Sequence, residues 1–220
     1  MWKKSILIIL FLLSGCSWDD DSKKSIRISG ETMGTTYAIT VVGAPKNLTA
    51  KNMKEKVEET LQKVNAQMSN WDRKSEITLI NEYGYLKPQS ISSEMLEVLV
   101  AAEAIHEQSQ GFFDLTVSPL VDLWGFGPKK SEDQVPTPLE IAKALKLVGQ
   151  KDMYQLNKSN QSITKNVDGI SINLSAIAKG YGVDEVSKTL SFLGAERHLV
   201  EIGGDLVVSG LNDKDLPWSI

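Results

Sequence analysis

The 220-residue chain has one cysteine, Cys16, and two histidines. A single thiol closes no internal disulfide, which excludes the disulfide-stapled secreted folds. It also excludes zinc motifs of the Cys and Cys/His type. Neither His106 nor His198 has an acid at a spacing that suggests a nucleophile–base set, and both read as structural or exposed. No G-x-G-x-x-G follows a strand and no G-x-x-x-x-G-K-[ST] occurs, so the usual dinucleotide and P-loop signatures are missing. The net charge is −4, and there is no basic stripe to hold nucleic acid. The chain has no internal repeat and no low-complexity tract.

The one long apolar run lies at the start. "MWKK" is a basic lead, "SILIILFLL" is an apolar core too short to span a membrane, and Leu13-Ser14-Gly15-Cys16 has the form of a bacterial lipoprotein box. Residues 1–15 read as a lipoprotein signal peptide, Cys16 as the lipidated N-terminus of the mature chain, and 16–25 as a polar tether. Diacylation gives stable anchoring where one acyl chain would be marginal. A plain signal peptide with a chance cysteine is the alternative. Ser17, not Asp, follows Cys16; by the usual sorting rule that permits transfer to the outer membrane, but the rule varies, and the expected location is the inner membrane, facing the periplasm. Cleavage removes Lys3 and Lys4 and no acid, leaving a mature charge of −6. Residues 26–220 then suffice for one sizeable core.

Strand alternation appears in "SIRISG" and "TTYAITVVG". Helices are predicted from a cap at Thr49, with Met53, Val57, Leu61, Val64 and Met68 on one face; from Ser92 to a stop at Gly111; and from Thr137-Pro138-Leu139-Glu140, a capping box, to Gly149. "MYQLNKSNQSITK" reads as a hairpin, "DGISINL" as a strand entering a helix, and "HLVEIGG" and "DLVVSG" as two strands about a glycine pair. "LPWSI" reads as a strand just beginning. The mixture predicts an α+β or α/β domain.

Four stretches have compositions suited to chemistry. "GETMGTTY" sets Met33 between glycines, either to meet a flat ligand or to enter the core from a simple turn. "MSNWDRKSEITLIN" sets Trp71 past a helix end, to stack on a ring or to pack on the helix. "GFFDLTVSPLVDLWGFGP" is aromatic and glycine-rich, too broken for a helix, and reads as a rigid wall; Asp114 in it needs a polar partner if buried. "SINLSAIAKGYGVDEV" carries Gly180 and Gly182 into a predicted helix at about 1 kcal/mol each relative to alanine. They serve close helix packing or the approach of backbone to an anion. Lys179 is either a ligand contact or a solvated side chain.

In this order, "ETMGTTY", "MSNWDRKSEITLIN", "FFDLTVSPLVDLWGFGP", "INLSAIAKGYGVDEV", "EIGGDLVVSG" and "LPWSI" resemble the ApbE family, the FAD:protein FMN transferases, from about Gly30 to the last residue. The resemblance implies an α+β ApbE-like domain related to the T-fold. It implies FAD and Mg²⁺, and transfer of FMN to a threonine hydroxyl on flavin-accepting subunits of quinone reductase or electron-transport complexes, with release of AMP. Carried over by motif, Met33, Trp71, Phe112, Phe113, Asp114, Asn173 and Lys179 would contact FAD, and the Ala176 carbonyl, placed at a strand end, would ligate Mg²⁺. Asn173 stands where the family often has Asp. The family's later His-bearing segment and Asp-Ala-x-x-Thr segment are expected beyond Ile220. The expectation is therefore an N-terminal two-thirds with little transferase activity of its own. FAD hydrolysis to FMN and AMP, or flavin binding without chemistry, are the alternatives.

Overall fold

The computed structural model describes residues 24–128 and 135–220, so the signal peptide, Cys16 and most of the tether lie outside the described residues. Strands β1 (Ser25–Thr32) and β2 (Thr35–Val42) form a hairpin, followed by α1 (Ala50–Met68), α2 (Glu76–Glu82), β3 (Gln89–Ser90) and α3 (Ser93–Gln108). After these come α4 (Ser118–Leu123), α5 (Pro138–Leu145), α6 (Gln150–Met153), the hairpin β4 (Tyr154–Asn157) and β5 (Ser162–Lys165), α7 (Ala178–Phe192), β6 (Arg197–Ile202) and β7 (Asp205–Ser209). No helix among the described residues is long and apolar enough to cross a membrane.

Two hydrophobic clusters meet along two shared helices. The first lies on an antiparallel sheet ordered β1-β2-β6-β7. Tyr37, Ile39 and Val41 of β2 and His198, Val200 and Ile202 of β6 point inward at period two. They meet Met53, Val57 and Leu61 of α1 and Val183, Val186 and Leu190 of α7. The second cluster joins a small sheet ordered β3-β5-β4 to α2, α3 and the last turns of α1, through Val64 and Met68. α7 also bridges both, with Tyr181 in one cluster and Val183 in the other.

The helix starts follow from local chemistry. Thr49 accepts from Asn52 N, and the Asn52 side chain returns the bond to Thr49 N. Ser92 caps α3 and Thr137 caps α5, the latter with Glu140 as its capping-box partner. Every position expected on the buried face of α1 is buried. On α3, Met95, Val98, Leu99 and Ala102 are buried and Ile105 is exposed. α5 stops at Leu145, four residues short of the expected Gly149.

Three expectations need correction. Residues 168–174 are not a strand; Asp168 and Gly169 form a turn, with Gly169 at φ +80°, and 170–174 pair with no ladder. Asn70 and Asn81 side chains take the ladder's place. Asn70 Nδ2 and Asn81 Nδ2 donate to Ile172 O at 2.8 and 2.9 Å, and their Oδ1 atoms accept from Leu174 N and Ile172 N at 2.9 and 2.8 Å. Residues 216–220 are not a strand either; Trp218 Nε1 turns back to donate to Ser209 O at 3.0 Å. Finally, the aromatic segment contains α4, closed by a Schellman motif: Gly125 (φ +78°) donates to Asp122 O and Phe126 N to Val121 O.

A candidate ligand cleft where the two clusters meet

Met33 is the first central residue of the two-residue β1–β2 turn, with φ +50°, followed by Gly34 at +72°. Both signs are positive, as a type I′ hairpin turn demands, and methionine is an unusual occupant of that position. Its side chain packs against both hydrophobic clusters. Beside it opens a cleft of about 750 Å³, walled by Met33, Asn65 and Met68, by Asn70 and Trp71, and by Phe126, Ser175, Ala178 and Lys179. Trp71, 64% exposed, and Phe126, 77% exposed, give the cleft aromatic edges.

The fourth wall is the first turn of α7. Its N-cap, Ile177, makes no side-chain cap bond, and neither Lys179 N nor Gly180 N has a partner among the described residues. Such a helix start offers free N–H groups and the positive end of the helix dipole to an anion. Lys179 adds a formal charge. Its Nζ donates to Gly203 O at 3.0 Å and lies 3.6 Å from Asp205 Oδ2, so it is tethered to the β6–β7 turn instead of waving in solvent. Gly203 and Gly204, at φ +54° and +94°, make that turn. The two helix glycines separate. A Cβ on Gly182 would lie 2.8 Å from Met33 Cε, whereas one on Gly180 meets nothing within 4 Å. Close packing therefore explains Gly182 and not Gly180.

Of the expected contacts, the fold brings Met33, Trp71 and Lys179 to this cleft and leaves others outside it. Phe112 is 92% exposed, and Phe113 packs on the second cluster. The Asp114 carboxylate is committed within the fold. It accepts from Thr116 N and Oγ1 at 2.6 and 2.5 Å and from Gln150 N at 3.0 Å, tying the loop after α3 to the start of α6. His106 Nδ1 donates to Phe113 O at 2.6 Å, and the buried His198 is held by Ala195 O and Ser187 Oγ, so both histidines are structural. Asn173 Oδ1 accepts from Ser175 N, and its own N–H donates to Leu115 O, which fixes the 112–115 loop against the segment leading to the cleft. Phe126, expected only as part of the aromatic wall, and Asn70 also line the cleft, although neither was among the residues carried over as FAD contacts.

Ala176 lies in an exposed turn, not at a strand end, and its carbonyl accepts no hydrogen bond among the described residues. One free carbonyl is a poor offer to Mg²⁺, which requires near-octahedral oxygen ligands. No group of three His, Cys, Asp or Glu side chains able to hold a metal occurs among the described residues. The residues described here do not, by themselves, fit a metal site.

The fold and cleft thus define a mixed α and β protein with an apolar, aromatic-edged cleft beside an uncapped helix start. The chain belongs to the ApbE family, whose model matches residues 33–220. It is 36% identical over 214 residues to an FAD:protein FMN transferase of Vibrio cholerae, covering 97% of this chain and 62% of the relative. It is 37% identical over 200 residues to one of Haemophilus influenzae, covering 90% and 58%. Among solved structures, a flavin transferase ApbE from Vibrio cholerae superposes with a TM-score of 0.86 at 35% identity, over 90% of this chain and 63% of that one. An apo flavinyl transferase ApbE from Pseudomonas stutzeri gives 0.82 at 30%, over 90% and 64%. The chain spans about three-fifths of the length of these relatives.

Proposed function

We propose that the protein transfers FMN from FAD to a threonine hydroxyl of an acceptor protein, releasing AMP. The observation that carries this reading is the cleft, where the Met33–Trp71–Phe126 bed adjoins Lys179 and the uncapped start of α7. Family membership supports it. In the reaction the hydroxyl oxygen attacks the FMN phosphorus as the bond to the bridging oxygen breaks. AMP leaves with that oxygen, and the hydroxyl proton passes to solvent. The chain's residues contribute positioning and charge: the aromatic edges hold the ring, and Lys179 with the α7 N–H groups offsets diphosphate charge. Mg²⁺ would supply further charge neutralisation, but the Ala176 carbonyl expected to meet it does not hold the ion alone. The acceptors are flavin-bearing subunits of electron-transport complexes. We place the domain on the periplasmic face of the inner membrane through lipidated Cys16, on the strength of its N-terminal sequence.

Incubation with FAD, Mg²⁺ and a threonine-bearing acceptor tests the chemistry. Covalent flavin on the acceptor with equal AMP supports transfer. AMP without labelled acceptor makes the protein an FAD pyrophosphatase. FAD bound with neither product makes it a flavin-binding protein without chemistry.

A further inference from the structure

We infer that Met33 and Gly182 are a matched pair that sets the depth of the cleft, which makes Gly182 a specificity-determining residue for the ring of the ligand; this rests on the flavin reading above. Two locally unfavourable choices meet in one contact. Met33 holds φ +50° where Asn, Asp or Gly is favoured. Such outliers persist where the surroundings over-determine them, and they cluster at ligand sites. Gly182 lies buried inside α7, where only proline is a worse helix former.

The contact explains both. The methyl of Met33 occupies the space that any side chain at 182 would need, with Cε 2.8 Å and Sδ 3.7 Å from a Cβ built there. Ile202 Cδ1 closes the same space at 3.8 Å. Met33 is packed against both clusters, and its open side faces the cleft and a second hollow formed by the β1–β2 turn. A methyl group added at 182 drives the thioether toward that open side and makes the bed shallower. An unbranched, polarisable side chain suits a π face, and its reach is what Gly182 tunes. Gly180, one residue before Tyr181, carries no such demand. The pair therefore reads the flavin ring and not the phosphates or the adenosine half.

Binding of FAD, FMN, riboflavin and AMP to the full chain tests this, in the wild type, Gly182→Ala, Met33→Ala and the double variant. Gly182→Ala is expected to weaken the three flavins by a common factor of about tenfold, the scale of overpacking a close contact, and to leave AMP unchanged. In the Met33→Ala background the same substitution is expected to change flavin affinity by less than about threefold, because the clash is gone. Met33→Leu, which alters the pair without touching α7, is expected to weaken flavins and spare AMP should Gly182→Ala not fold. Equal loss in both backgrounds overturns the pairing. So does loss of AMP alongside flavin, or a lowered unfolding midpoint with flavin affinity intact, which would send the methyl into the core. A wild type that binds no flavin overturns the functional reading and this inference together. A wild type that binds flavin, with Gly182→Ala unchanged, overturns the inference alone.

Discussion

Replacing Asn81 with leucine removes one side-chain amide and exposes how the 170–174 segment is held. Ile172 is fully buried, and its N–H has the Asn81 Oδ1 as partner at 2.8 Å. Without it, a buried donor is orphaned, at a cost of about 1–3 kcal/mol. The Ile172 carbonyl fares better, because Asn70 Nδ2 still donates to it at 2.8 Å. The buried Lys165 ammonium is untouched, since it donates to the Asn81 backbone carbonyl. The expected loss is therefore about 2 kcal/mol. Asn70→Leu orphans Leu174 N and should cost a similar amount. In the double variant the Ile172 carbonyl loses both donors, so the loss should exceed the sum of the singles by about 1 kcal/mol. Urea unfolding reads this directly: with a slope of about 2 kcal/mol/M, each single variant lowers the midpoint by about 1 M. Single losses below about 0.5 kcal/mol, or strict additivity in the double, would refute the clamp. Flavin affinity should fall further for Asn70→Leu, because Asn70 also lines the cleft.

Two other perturbations follow from the geometry. Gly180→Ala places a Cβ in open space inside a helix and should raise stability by up to about 1 kcal/mol, about 2–4 °C in Tm; a fall would mean that the glycine backbone is itself required there. Burial, and then the Glu58 carboxylate 3.2 Å away, push the Tyr37 phenol up to about 12. A free tyrosine ionises near 10, so the unfolded chain releases its proton first and stability falls between about pH 10 and 12. Tyr154 and Tyr181, raised mainly by burial, act with the same sign. Tyr37→Phe should flatten part of the alkaline decline, and an unfolding curve superimposable on that of the wild type contradicts the assignment.

What the sequence determined by itself is local. The caps at Thr49, Ser92 and Thr137 depend on residues within three positions, and the α1 face on spacing within one helix; all were legible. So was family membership, because order along the chain needs no coordinates. Tertiary structure decided what depends on distant partners. The 170–174 segment reads as a strand, but it pairs with no ladder; the Ile172 and Leu174 bonds come from Asn70 and Asn81, about a hundred residues earlier, and no local pattern encodes them. Asp114 stood out as needing a partner; Thr116, two residues on, is a local one, and only the fold could supply Gln150 N at the start of α6. The two glycines of α7 are alike in sequence. Only the fold sets Met33 against one of them and open space against the other, because contact between a turn at residue 33 and a helix at 182 is a property of the packed chain alone.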